Sequence, residues 1–156
     1  MIMKSGTYTQ IYIHFIFAVK FRESVIYEKI QDELFRFISG SITSMGHKSL
    51  AVNGMADHIH ILVGLNPVMS VSELAKELKR SSSNFINSKN WMPGKFQWQT
   101  GYGAFSYSKS QIDQVIKYIW NQKMHHQKRS FKEEYHKFLQ ESGIDYNPDF
   151  LFKFFE

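Results

Sequence analysis

At 156 residues the chain is long enough to bury a hydrophobic core without crosslinks, and it has no cysteine, which excludes disulfides and thiolate-held metals and points to a reducing compartment. Nineteen Lys and Arg against fourteen Asp and Glu leave a net charge of +5, a moderate excess that suits a polyanionic partner but that many unrelated proteins also carry. Met1 to Gly6 hold no charged region followed by a long apolar run, and no stretch approaches a membrane span, so the expectation is a soluble cytoplasmic protein with no membrane partner.

Thr7 to Lys20 predicts a long first strand, with Ile11, Ile13, Phe15, Phe17 and Val19 alternating against Gln10, Tyr12, His14, Ile16 and Ala18. The second set is mixed, so that face is either partly solvated or meets a partner. His14 on it reads as structural or substrate-facing rather than as a ligand. Ile26, Ile30, Leu34, Phe37 and Ile38 recur at helical spacing and predict a helix from Val25 to about Ser41. A short strand over 47–54 and a Gly-containing turn, Gly54 to Asp57, lead into the stretch His58-Ile59-His60-Ile61-Leu62-Val63. Two short strands around such a turn form an antiparallel hairpin.

The second of those strands carries the most informative pair in the chain. Ile59, Ile61 and Val63 fall on one side, and His58, His60 and Leu62 on the other. The two imidazoles then project from one face with Cα atoms roughly 6.5–7 Å apart, close enough to lean toward one metal ion. The same spacing also fits an ordinary polar outer face. Asp57, just before the pair, is placed to support it from the second shell of a metal rather than as a ligand.

Pro67 breaks the pattern. Ser70 as N-cap with Glu73 three residues on starts a second helix over about Val71–Ser88, with Val71, Leu74, Ala75 and Leu78 as its apolar stripe. Lys76, Lys79 and Arg80 with Ser81, Ser82 and Ser83 occupy its remaining surface, a set that suits phosphate contacts or a solvated face. Phe96 to Tyr107 is strand-like but interrupted by Gly101 and Gly103. A third helix over about Ser110–His126 shows Ile112, Val115, Ile116 and Ile119 as its stripe, with Tyr118 and Gln122 one turn apart on its flank. His125 and His126 read as a solvated helix end within reach of phosphate. A last helix, Phe131–Glu141, precedes an aromatic tail (Phe150, Phe152, Phe154, Phe155) that would dock on its own or a partner's surface.

The order strand, helix, strand, strand, helix, strand, then helices predicts an α+β protein of the ferredoxin-like, split βαβ (RRM-like) type. Helices would cover one face of an antiparallel sheet, leaving His58 and His60 on the open face. One domain spans 1–156, with a core over about 7–108, a helix over about 110–126, and a helix and tail over about 131–156.

Four segments then occur in order: His58-Ile59-His60; Trp98-Gln99-x-Gly101-Tyr102-Gly103-x-Phe105-Ser106; Tyr118-Ile119-x-Asn121-Gln122-x-x-His125-His126; and Phe131-x-x-Glu134-Tyr135. In this order they resemble the single-tyrosine transposases of the HUH-endonuclease superfamily, encoded by small insertion sequences that move as single-stranded DNA. The resemblance runs over nearly the whole chain. It implies His58 and His60 as metal ligands, Tyr118 as the nucleophile on the C-terminal helix, and Gln122 as a third ligand to Mg²⁺ or Mn²⁺. It also implies single-stranded DNA with hairpins at the element ends as substrate, and a homodimer in which the tyrosine helix can complete either subunit's site. By analogy, Lys76, Lys79, Arg80 and the first strand are candidate DNA contacts. Read alone, Tyr118 is a packing tyrosine like Tyr102, Tyr107 or Tyr135. Two imidazoles and an amide would by themselves favour Mn²⁺ or another transition metal over Mg²⁺. Three further readings stay open at this stage: a non-enzymatic single-strand-binding module, a related nuclease associated with repeated palindromes, and a hydrolase of small phosphate esters.

Overall fold

A computed structural model describes residues 6–145, apart from the side chains of His125 and Lys128. The expectations for the aromatic tail and for His125 fall outside the described residues. The elements are β1 (Tyr12–Ala18), α1 (Glu28–Ser44), β2 (Lys48–Gly54), β3 (His58–Gly64), α2 (Val71–Lys89), β4 (Gly103–Tyr107), α3 (Ile112–Trp120), α4 (Gln122–Lys128) and α5 (Phe131–Glu141). The sheet order is β2-β3-β1-β4, all antiparallel, which is the ferredoxin-like arrangement expected from the element order.

The alternation read in β1 and β3 holds. Phe15, Phe17, Ile59, Ile61 and Val63 face α1 and α2 and form the main core with Leu34, Ile38, Leu74 and Leu78. In the antiparallel register Ala18 pairs with His58, Ile16 with His60 and His14 with Leu62, so these residues share the opposite face.

That opposite face is not open. α5 lays Phe131, Tyr135 and Leu139 over Ile16, Ala18 and Phe105. α3 lays Ile112, Val115 and Ile119 over Ala51 and Leu62. His58 and His60 are consequently fully buried, where the sequence placed them toward solvent. The correction has a simple origin: His14, Ile16 and Ala18 look mixed as a set, but each lies under apolar rings from helices far along the chain.

Three boundaries also shift. The first strand ends its ladder at Tyr12, because there both Gly64 of β3 and Tyr107 of β4 reach their last pairing. The stretch before Gly103 is loop, with one isolated bridge between Val19 and Trp98. It is held by the Trp98 indole donating to Ser82 at 2.9 Å and by Lys79 donating to the carbonyls of Gln99 and Gly101. The third helix breaks at Asn121, whose backbone leaves the helical region (φ −97°, ψ 25°). Across the break the Asn53 amide of β2 donates to the Ile119 and Trp120 carbonyls at 2.9 and 3.3 Å, satisfying acceptors at the helix end.

The turn feeding the histidine strand is closely packed. A Cβ on Gly54 would lie 2.4 Å from the His58 carbonyl oxygen and 2.8 Å from Ile59 Cα, both rigid backbone. Gly54→Ala is therefore expected to destabilise the protein by about 3 kcal/mol. Urea unfolding of the two proteins checks this, and a loss below about 1 kcal/mol would mean the turn relaxes freely.

Candidate metal and tyrosine site

His58 and His60 present their Nε2 atoms toward one point because each Nδ1 is tied elsewhere. His58 Nδ1 lies 2.7 Å from Asp57 Oδ1, so the ring donates there and turns Nε2 toward the cluster. His60 Nδ1 lies 2.8 Å from His14 Nε2, and His14 Nδ1 in turn lies 3.5 Å from the Tyr107 hydroxyl. Two assignments satisfy the whole chain: with His60 Nε2–H donating to Glu134, Tyr107 donates to His14 and His14 Nε2–H to His60, and with His60 Nε2 bare toward a cation each donor along the chain reverses. His14 thus has the structural role expected of it, orienting a neighbouring imidazole.

The third group at this point is Glu134 of α5. Its Oε1 is 3.1 Å from His60 Nε2 and 3.5 Å from His58 Nε2. His58, His60 and Glu134 are buried, and one donor atom from each lies within 4.8 Å of the others. Gln122 is buried beside them, its Oε1 3.3 Å from His58 Nε2 and 3.2 Å from His126 Nε2. His126 is therefore turned into the cluster, not out to solvent as expected of a helix end; its Nε2 is 3.5 Å from Glu134 Oε1. Two imidazole nitrogens, a carboxylate oxygen and an amide oxygen converging in one buried cluster are a donor set that fits a divalent cation.

Tyr118 meets the same carboxylate from the other side. Its half-buried hydroxyl donates to Glu134 Oε2, and its ring lies edge-on to His60 with centroids 6.0 Å apart. Burial and the neighbouring Glu134 charge push the Tyr118 hydroxyl well above its ordinary range. Burial alone would also raise the Glu134 carboxyl, but the charges and hydrogen bonds of His60, His126 and His58 outweigh it and hold Glu134 far below the carboxylate range. The cluster is thus an ionised carboxylate with imidazoles on one oxygen and a phenol on the other.

Sequence reasoning quoted Glu134 within a motif but gave it no role. The signal was there: Phe131, Glu134, Tyr135 and Phe138 stand at i, i+3, i+4 and i+7, placing a carboxylate inside an apolar stripe. Gln122 similarly follows Val115 by seven residues.

The cations of α2 are placed differently. Lys79 is held against the sheet side by the Gln99 and Gly101 carbonyls and lies over the Phe17 and Tyr102 rings. Lys76 and Arg80 are exposed, Arg80 paired with Glu77 at 2.7 Å. The hydroxyls of Ser81, Ser82 and Ser83 all donate to helix carbonyls one turn back.

Asp57 is clamped from behind by Arg22. The chain reverses after β1 through two left-handed residues, Phe21 (φ 58°) and Arg22 (φ 57°). Non-glycine residues pay for that conformation, so it persists only where contacts hold it. Here the guanidinium donates to Asp57 Oδ2 and covers the Phe131 ring at 4.4 Å, and Phe131 stacks on His58 with centroids 3.9 Å apart.

Residues 7–122 match the family model described as "Transposase IS200 like". The chain is 25% identical over 122 residues to the ISDra2 transposase TnpA of Deinococcus radiodurans, covering 75% of this chain and 87% of that one. A crystal structure of a Deinococcus radiodurans protein assigned as a transposase superposes with TM-score 0.62 at 26% identity, covering 78% of this chain and 98% of that one. A REP-associated tyrosine transposase bound to a REP hairpin shares the fold, with TM-score 0.58 at 14% identity over 81% of this chain and 74% of that one.

Burial would raise the Asp57 carboxyl, but the His58 hydrogen bond and the His58 and Arg22 charges hold it at about 2. A carboxyl depressed on folding contributes stability above its unfolded pKa of about 4 and loses it as pH falls toward the folded value. Asp57→Asn should therefore flatten the acid limb of stability between about pH 4 and pH 2, where the native protein should lose about 2 kcal/mol. Denaturant titrations of both proteins across that window check it; parallel curves would remove Asp57 from the account.

Proposed function

The chain belongs to the IS200-like transposases, and from that premise we propose that it cleaves and rejoins single-stranded DNA through a covalent bond between Tyr118 and a 5′ phosphate. The observation that carries this reading is the placement of the Tyr118 hydroxyl on the same carboxylate that His58 and His60 face. His58, His60 and Glu134 are the residues that would hold a divalent cation, with Gln122 Oε1 adjoining on the His58 side. Glu134 takes a place that the sequence reading assigned to Gln122 alone. A carboxylate oxygen makes the site better suited to Mg²⁺ than two imidazoles and an amide would be, while keeping Mn²⁺ in play. Bound there, the cation would supply positive charge against the phosphate oxygens.

The protein's own groups do the rest. The Tyr118 oxygen bonds to phosphorus, and the bond from phosphorus to the 3′ oxygen breaks. This leaves a 5′-phosphotyrosine and a free 3′ hydroxyl. Glu134 Oε2, already accepting the phenol hydrogen bond, stands where the phenol proton departs. Because the phosphodiester's energy is kept in the tyrosine ester, a later attack by a 3′ hydroxyl rejoins strands without an external energy source. One tyrosine gives one covalent link per site, so moving a segment with two ends calls for two chains, and a homodimer supplies them. Within the single chain, Tyr118 already lies beside its own His60.

Hairpin-bearing single-stranded DNA is the proposed substrate, with Lys76 and Arg80 as exposed cations for its backbone. No described helix is long and apolar enough to cross a membrane.

Labelled single-stranded DNA from the flanks of the gene, incubated with Mn²⁺ or Mg²⁺, should give a covalent protein–DNA band on a denaturing gel. Tyr118→Phe and His58→Ala should abolish it, and chelation should do the same to the native protein. A band surviving Tyr118→Phe would mean another residue attacks. Glu134→Ala should also weaken Mn²⁺ binding, read by electron paramagnetic resonance, by about tenfold or more; unchanged affinity would return the third position to Gln122.

A further inference from the structure

The metal-facing groups are sealed from solvent, yet a phosphate must reach Tyr118. Among the described residues, a cleft of about 310 Å³ is lined by both Tyr118 and Glu134. It opens between α3 and α5, with Gln114 and Val115 on one side and Phe138 and Lys137 on the other, and Tyr107 of β4, Arg129 and Glu141 complete its lining. We propose that this cleft seats one unpaired nucleotide of the DNA strand, the one adjoining the phosphate that Tyr118 attacks. The inference rests on the transposase reading and adds where the substrate lies.

Size and wall favour that occupant. The volume sits at the lower end of the roughly 300–1,000 Å³ range of ligand pockets, room for a nucleotide but not for a base pair. Two aromatic rings besides Tyr118 line the wall, Phe138 and Tyr107. Phe138 packs against Phe105, Tyr118 and His14 with centroids 5.2, 5.7 and 5.3 Å apart, so it is held rigidly at the back of the cleft. Tyr107 is fixed beside His14. A base stacks on such rings whatever its identity, and only an unpaired base can enter. Arg129 and Lys137 are exposed cations among the lining residues. These two cations stand among two carboxylates, Glu134 and Glu141, with Lys137 3.8 Å from Glu141, so it is the aromatic lining rather than net charge that favours a nucleotide. An acidic peptide would match the cations but has no use for the ring faces.

The test first maps the attacked phosphate with the covalent-band assay. Oligonucleotides of that sequence are then made with 5-iododeoxyuridine at one position at a time and bound to Tyr118→Phe, which keeps the strand uncut. After irradiation the crosslinked peptides are identified by mass spectrometry. The nucleotide adjoining the mapped phosphate should crosslink to Tyr107 or Phe138. That crosslink should vanish when the solvent-facing Gln114 is replaced by Trp, which fills the cleft, and persist in Gln114→Ala. An abasic substitution at that nucleotide should weaken binding about 5- to 150-fold, the span of base stacking on an aromatic side chain. If the covalent band forms but crosslinks map elsewhere, or survive Gln114→Trp in a folded protein, the cleft is overturned and the transposase reading stands. If no covalent band forms with any flanking sequence, both fall together.

Discussion

Glu134 is an ionised carboxylate placed out of water, and every other feature of the site answers that fact. Moving an isolated carboxylate into a protein interior costs several kcal/mol unless charges and donors replace its hydration. Here His58, His60 and His126 stand at one oxygen, and the Tyr118 hydroxyl and Gln122 amide at the other. The same arrangement favours the protonated form of Tyr118, since burial and a negative neighbour oppose formation of phenolate. Positive charge delivered to the imidazole side would withdraw the carboxylate's hold on the phenol. Structure and chemistry are therefore coupled through one side chain.

That side chain can be where it is only because the second sheet face is roofed. α3 and α5 each contribute a small apolar cluster, and the polar residues occupy the gap between those clusters. The break at Asn121 makes the gap usable. Gln122 is turned inward instead of continuing along the flank, while Asn53 from the edge strand β2 takes up carbonyls at the end of α3. On the other side, the left-handed turn at Phe21 and Arg22 is held by Asp57, which in turn sets the tautomer of His58. Tautomer control of a ligand through its far nitrogen is a general way to hold a metal-facing ring.

The cations are spread over more than one surface. Of the basic residues near the middle of α2, Lys79 clamps the loop that leads into β4, while Lys76 and Arg80 are exposed. The cations that line the tyrosine cleft, Arg129 and Lys137, come instead from the segment after α4 and from α5. Both belong to the C-terminal part of the chain that closes the sheet.

Much of this was legible in the residues alone. Period-two alternation in Ile59, Ile61 and Val63 against His58 and His60 placed the imidazoles on one face, because strand geometry is local. Ser70 with Glu73 and the stripes of α1, α2 and α5 marked helices through interactions within a turn or two. The element order determined the sheet topology, since few ways of pairing four such strands satisfy short, uncrossed connections. Only the tertiary structure decided that the histidine face is enclosed, that the third helix breaks, and that Glu134 stands beside His58 and His60. The reason is separation along the chain. Glu134 lies 74 residues from His60, and Asn53 66 residues from Ile119, so no local period joins them. A carboxylate in an apolar stripe announces that it must be paired once buried. Which partner pairs it is settled by where the packed helices bring it.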